Sequence, residues 1–144
     1  MSELNTRIEI NASAERIWQI LMEFERYGEW NPFVRSIAGE SVVGSSLSIF
    51  IKPEGGRGMN LSPKVVAVEP GRKFAWKGSL LFPGIFDGTH EFHIEPNDDG
   101  SSNFIHREEF TGITVPLLWP MLEKDTRKGF EDMNEALKKL AETE

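Results

Sequence analysis

Leu118, Leu122, Thr126, Phe130, Met133, Leu137 and Leu140 recur at spacings of three and four near the end of this 144-residue chain. That repeat marks one face of an α-helix. Only Thr126 interrupts an apolar stripe. The spacing predicts one helix that starts between Pro116 and Pro120 and runs to about Ala141. About 24 residues at 1.5 Å per residue make a rod of roughly 36 Å. Such a rod needs a long apolar surface to lie in, and a curved sheet supplies one.

The middle of the chain has the period of that sheet. From Val34 to Gly112 apolar residues alternate, and turn residues separate the runs. Val34–Val43 ends at Gly44-Ser45-Ser46. Leu47, Ile49 and Ile51 alternate before Pro53-Glu54-Gly55-Gly56-Arg57-Gly58. Leu61–Glu69 ends at Pro70-Gly71, where Pro presets φ and Gly accepts a positive one. Lys73–Leu80 follows, then a loop over Phe82–Gly88. Thr89–Glu95 and Asn103–Gly112 flank a turn at Pro96–Ser102. These six runs read as an antiparallel meander. Ahead of them, Asn5–Asn11 reads as a strand around Ile8 and Ile10. Ser13 is a good N-cap, and Glu15 suits the positive end of a helix dipole. Ile17, Leu21 and Phe24, widened by Trp18 and Met22, form the apolar face of a short helix. Tyr27-Gly28-Glu29-Trp30-Asn31-Pro32-Phe33 suits neither helix nor strand and reads as a compact turn with aromatics pressed inward.

Composition removes several classes. The chain has no cysteine, so disulfides and thiolate chemistry are absent. A formal net charge of −7 disfavours nucleic acid and anionic membranes as partners. No apolar run approaches the ~18 residues of a membrane span. Met1–Arg7 lacks the apolar core of a signal peptide. The expectation is one cytoplasmic domain over residues 1–144.

The order strand, helix, turn, six strands, long helix resembles the helix-grip fold of the START/SRPBCC superfamily. The resemblance rests on Trp30-Asn31-Pro32 after the first helix and on four later segments: His106-Arg107-Glu108-Glu109-Phe110-Thr111-Gly112, Pro116-Leu117-Leu118-Trp119, Thr126-Arg127-Lys128-Gly129-Phe130 and Met133-Asn134-Glu135-Ala136-Leu137. These resemble the polyketide cyclase/dehydrase-like subgroup, and birch-pollen-allergen-like proteins share the fold. The resemblance implies an α+β domain. A curved seven-stranded antiparallel sheet would wrap the long C-terminal helix, with two short helices after strand 1. It also implies that a ligand or substrate sits between the concave sheet and the helix. The superfamily mixes carriers, cyclases, hydrolase-like enzymes and co-chaperone-like domains, so the fold does not choose among them.

Strand alternation sorts residues onto the two faces. Phe74 and Trp76 share one face, and Lys73, Ala75 and Lys77 the other. A two-residue turn at Pro70-Gly71 pairs Ala67 with Phe74 and Val65 with Trp76. In the last hairpin His90, Phe92 and Ile94 face inward with Phe104, His106, Glu108 and Phe110. With Ile94 opposite Phe104, Phe92 faces His106 and His90 faces Glu108. Outside, Glu91 then meets Arg107. His90, His106 and Glu108 become the few polar groups of an apolar pocket, suited to orienting a ligand. Glu108 favours a protonated histidine beside it, and a dry wall opposes one. The three are also the candidates for acid–base catalysis. The candidate ligand-binding set is Trp30, Phe33, Phe74, Trp76, His90, Phe92, His106, Glu108, Phe110, Leu118, Leu122 and Phe130.

Other features read more simply. His90 and His93 point to opposite faces of one strand and cannot share an ion; a site of His90, His106 and Glu108 is geometrically possible, but no metal is expected. No cofactor motif or Gly-x-Ser-x-Gly appears. Gly55–Gly58 lacks the Lys-Ser/Thr end of a phosphate loop and reads as a hairpin at the rim. Trp119, Met121 and Leu122 are core or a roof. Gly129 gives either close packing or ligand room. Phe82, Ile85 and Phe86 form a lid, an entrance or a homodimer contact. Basic and acidic residues interleave from Glu123 to Lys139 as a solvated helix face. Three functions fit: binding of a hydrophobic small molecule (lipid, aromatic or polyketide-like), cofactor-independent cyclase or dehydratase chemistry, or protein interaction of the heat-shock ATPase activator type.

Overall fold

The computed structural model describes residues 2–80 and 82–143. Strand β1 (Ser2–Ile10) leads into α1 (Ala14–Met22), a 3₁₀ turn (Phe24–Arg26) and α2 (Tyr27–Trp30). Then come β2 (Val34–Ala38), β3 (Ser48–Ile51), β4 (Met59–Leu61), β5 (Lys64–Glu69), β6 (Lys73–Leu80), β7 (Phe86–Pro96) and β8 (Ser102–Thr111). Helix α3 (Val115–Glu142) closes the chain. The architecture is the α+β helix-grip arrangement, an antiparallel sheet system around a long C-terminal helix.

Among the described residues eight strands replace the expected seven, in a five-stranded sheet β1-β8-β7-β6-β5 and a three-stranded sheet β2-β3-β4. The run Leu61–Glu69 divides because Ser62-Pro63 interrupts it. Proline has no N–H for a ladder, and the Pro63 carbonyl instead accepts from Leu47 N at 2.8 Å. Gly44 N to Val65 O and Val65 N to Ser45 O, each 2.9 Å, tie the two sheets together there. The run Val34–Val43 stops at Ala38. Gly39 follows with φ +129°, and a Cβ there would lie 2.8 Å from the Leu47 side chain, so the strand cannot continue.

The β7–β8 register places Ile94 opposite Phe104, Phe92 opposite His106, His90 opposite Glu108 and Glu91 opposite Arg107, as alternation predicts. The β5–β6 register departs by one residue. Val65 faces Trp76, but Val68, not Ala67, faces Phe74. A bulge around Val66 takes up the extra residue. The turn also has three residues, since Glu69 pairs with Lys73. Strand β7 reaches back to Phe86, converting part of the expected loop, and Gly88 pairs with Gly78 across it.

Ser13 caps α1, its hydroxyl accepting from Arg16 N at 3.1 Å. Ile17, Ile20 and Leu21 of α1 are buried. The Tyr27 hydroxyl donates to Leu21 O at 2.7 Å, and burial raises its proton affinity far above the phenol range. Asn31 Oδ1 accepts from Phe33 N and Val34 N at 3.0 and 2.9 Å, which turns the chain into β2.

Helix α3 carries Pro116 in its first turn, where no N–H is needed. Pro120 sits inside and costs one backbone bond. The two halves of α3 pack differently. From Gly129 onward Gly129, Phe130, Met133, Asn134, Leu137 and Ala141 are buried. Before Gly129 only Val115 is buried, and Leu118, Trp119 and Leu122 are half-covered. A Cβ on Gly129 would overlap the Phe33 ring, so this glycine serves close packing.

Candidate functional site

Five polar side chains meet inside the aromatic core. His106 lies on β8, opposite Thr6 of β1 on one side and Phe92 of β7 on the other. Thr6, His90, His106 and Asn134 are all at least nine-tenths buried. Trp76 stacks on the His90 ring with centroids 4.6 Å apart, and Phe130 stacks on His106 at 3.9 Å. Each imidazole therefore lies against an aromatic face, with the Phe92 ring edge-on to both.

Contacts between these groups run in one line. Thr6 Oγ1 donates to His106 O at 2.8 Å. Asn134 Nδ2 donates to Thr6 Oγ1 at 2.9 Å. Asn134 Oδ1 lies 2.9 Å from His106 Nδ1. His106 Nε2 lies 2.7 Å from His90 Nε2. His90 Nδ1 lies 3.3 Å from Glu108 Oε1. The chain spans three strands and α3.

Burial holds the proton affinity of His106 well below the ordinary histidine range. The neighbouring His90 adds to this, and the Asn134 hydrogen bond opposes it. His106 is therefore neutral near pH 7. Glu108 is the one member that reaches solvent, with 17% of its side chain exposed. Its Oε2 has no hydrogen-bond partner among the described residues and leans over Gly88, where a Cβ would overlap it. Gly88 and its partner Gly78 thin the concave face beside the carboxylate.

The other expected lining residues lie in four places. Phe33 packs on Phe130 at 5.7 Å, and Phe74 on Trp76 at 5.8 Å. These belong to the same aromatic core as the histidines. Phe110 sits further along, between Phe86 at 5.7 Å and Trp119 at 5.5 Å. Trp30 is half-buried and packs on Tyr27 at 5.4 Å, at the helix turn. Leu118 and Leu122 are half-covered on the outer half of α3.

Thr6, Asn134 and Gly88 were not singled out from the sequence. Their signals were present. Thr6 is the polar member of the inward set Leu4, Thr6, Ile8, Ile10, and Asn134 falls four residues after Phe130 on the buried face.

The rings of Trp76, Phe92 and Phe130 pack against the two histidines. A recess of about 290 Å³ opens at the end of the cup, lined by Ser2, Phe110, Thr111, Gly112, Val115 and Pro116. A second, of about 340 Å³, lies away from the histidines beside the start of α1. On the outer sheet face Arg107 binds both Glu91, at 2.6 Å, and Glu3, while His93 Nε2 lies 2.6 Å from Glu91. Burial opposes ionisation of Glu91, but the hydrogen bonds from His93 and Arg107 outweigh it and lower its proton affinity. Among the described residues no three His, Asp or Glu side chains converge as metal ligands.

A family model described as polyketide cyclase/dehydrase and lipid transport matches residues 1–142. No curated protein matches the chain. Among solved structures, the Zhui aromatase/cyclase from Streptomyces sp. R1128 superimposes with a TM-score of 0.79 at 15% identity, over 98% of this chain and 93% of that one. A START superfamily protein from Mycobacterium smegmatis gives 0.75 at 20% identity, covering 98% and 97%. Protein MLL2253 from Mesorhizobium loti gives 0.74 at 17%, covering 99% and 98%. At these identities the likeness establishes the fold.

Proposed function

The chain belongs to the polyketide cyclase/dehydrase and lipid transport family, and we propose that it binds a hydrophobic small molecule (lipid, aromatic or polyketide-like) between the sheet and α3. One observation carries this reading. A buried polar chain runs from Thr6 to His90 and ends at Glu108, whose Oε2 is free beside a glycine-thinned wall. Burying such groups costs free energy that apolar side chains of similar shape would not. A chain closed at one end and open at the other suits a pocket that holds a polar end of an apolar guest. The guest enters where α3 is loosely held, between its outer half and the Phe82–Phe86 loop, and α3 moves about its anchored half to admit it. Trp119, Phe110, Leu118 and Leu122 then line the apolar part of the site. We place the protein in the cytoplasm. Among the described residues no helix is long and apolar enough to cross a membrane.

Two observations favour other readings. The His90–His106 contact at 2.7 Å, next to Glu108, suits proton transfer in a cofactor-independent cyclase or dehydratase. Exposed Phe82, Ile113, Leu117 and Met121, together with the rings packed against the histidines, suit a protein-interaction module or a homodimer contact.

Native mass spectrometry of the freshly purified protein, with organic extraction, tests the binding reading first. A titration with 2-naphthol and its methyl ether then tests Glu108. The free Oε2 of Glu108 can accept from the hydroxyl but gains nothing from the ether, and Glu108→Gln weakens 2-naphthol about fivefold, the factor of one net hydrogen bond. An empty protein that takes up neither probe refutes the binding reading. Equal affinity in wild type and variant refutes the role of Glu108.

A further inference from the structure

The proton positions along the buried chain follow from one backbone carbonyl. Thr6 has a single hydroxyl proton, and it points to His106 O at 2.8 Å. Thr6 Oγ1 therefore receives rather than gives at its 2.9 Å contact with Asn134. The atom of Asn134 that meets Thr6 must be the amide nitrogen, which leaves Oδ1 facing His106 Nδ1 at 2.9 Å. An amide oxygen only accepts, so His106 carries its proton on Nδ1. His106 is neutral for the reasons given above, so its Nε2 holds a lone pair. The 2.7 Å contact between the two Nε2 atoms needs one proton, and His90 supplies it. One position is then left unassigned, the 3.3 Å contact between His90 Nδ1 and Glu108 Oε1.

We propose that Asn134 and Thr6 are positioning residues that lock His106 in its Nδ1–H tautomer and so make His90 the donor between the two rings, leaving His90 Nδ1 to face Glu108 at the end of the chain nearest solvent. Without the lock, the Asn134 amide could turn, His106 could take its proton on Nε2, and His90 would have to turn its own proton toward Glu108. His90 would then donate to Glu108 and accept from His106, the reverse of its role in the locked arrangement. Asn134 and Thr6 touch no guest in this arrangement. They act through His106, from two elements separated by 128 positions in the chain. The inference deepens the reading of Glu108 as the polar end of the site, yet its test needs no guest.

Long-range ¹H–¹⁵N correlation spectra of the histidine rings, recorded on the full chain without added ligand, read the tautomers directly. The wild type is expected to show His106 protonated on Nδ1 alone and His90 protonated on Nε2. Thr6→Val removes the hydroxyl that fixes the amide, and the Nδ1–H to Nε2–H ratio at His106 falls about fivefold, the factor set by one net hydrogen bond. Thr6→Ser restores it, because the hydroxyl returns. Asn134→Leu is the second variant if Thr6→Val does not fold, and it shifts the ratio in the same direction. A wild-type His106 protonated on Nε2, or variants with the wild-type tautomers, overturns the lock. Failure of 2-naphthol to bind bears on the binding reading and leaves the tautomer result standing.

Discussion

Mild acid should weaken this fold through His106. An unfolded chain takes up a proton on that ring as the pH falls through about 6.5. The folded protein does not, because burial, aided by the neighbouring His90, lowers the proton affinity of the ring well below that value. Between the two values the unfolded state binds more protons, so stability rises with pH. The contribution is complete above the unfolded value and is lost as the pH falls below it. The slope approaches about 1.4 kcal/mol per pH unit for one proton. Going from pH 7.5 to 5.5 therefore removes about 1.4 kcal/mol, or about 4 °C in Tm for a chain of this length. Carboxylates whose proton affinity is lowered, such as Glu91, Asp87 and Asp99, start from ordinary values of 4.5 and 3.8, and they lose their contribution only in stronger acid, below that window. Urea unfolding followed by circular dichroism at pH 7.5, 6.5 and 5.5 measures the slope in wild type and in His106→Gln. The variant is expected to be less stable throughout but flatter by about one proton. Equal slopes in the two proteins, or a wild type indifferent to pH over this range, would refute the argument.

Gly129→Ala offers a second check, on the point where α3 is pinned. Alanine gains about 1 kcal/mol of helix propensity, but its methyl overlaps the buried Phe33 ring, and overpacking costs about 1–3 kcal/mol. A net loss of about 1 kcal/mol in urea unfolding is expected, with recovery in the Phe33→Leu/Gly129→Ala double variant. A stabilised single variant would show that the ring moves aside freely. Gly88→Ala places a methyl against Glu108 Oε2 and should turn the carboxylate away from His90. Its preference for 2-naphthol over the methyl ether is then expected to drop toward that of Glu108→Gln, and an unchanged preference would mean that Glu108 does not contact the hydroxyl.

The resemblance to the helix-grip fold was legible because its signals are local. A period of two over Phe104, His106, Glu108 and Phe110 assigns a face whatever lies across the sheet. The turn at Pro96–Ser102 then sets the pairing, so His90 could be placed opposite Glu108, and Glu91 opposite Arg107, without coordinates. The stripe from Leu118 to Leu140 likewise announces α3. Local signals failed where a strand depends on its neighbours. Leu61–Glu69 has an acceptable alternation, but Pro63 cannot join a ladder, and the bulge around Val66 shifts the partner of Phe74.

The chemical line inside the protein belongs to the tertiary structure. His90 and His106 both face inward by alternation, but the approach of their Nε2 atoms to 2.7 Å depends on sheet curvature and on two rotamers. Trp76 and Phe130 hold those rotamers by stacking. Thr6 and Asn134 lie near opposite ends of the chain, and no periodicity relates them. They meet because α3 lies across β1 and β8, at a height set by the contact between Gly129 and Phe33. The outer half of α3 is only half-covered, although its apolar stripe is continuous in sequence. A helical repeat states which face is apolar. How deeply each turn sinks depends on the wall it meets, and that wall is assembled from residues the repeat does not contain.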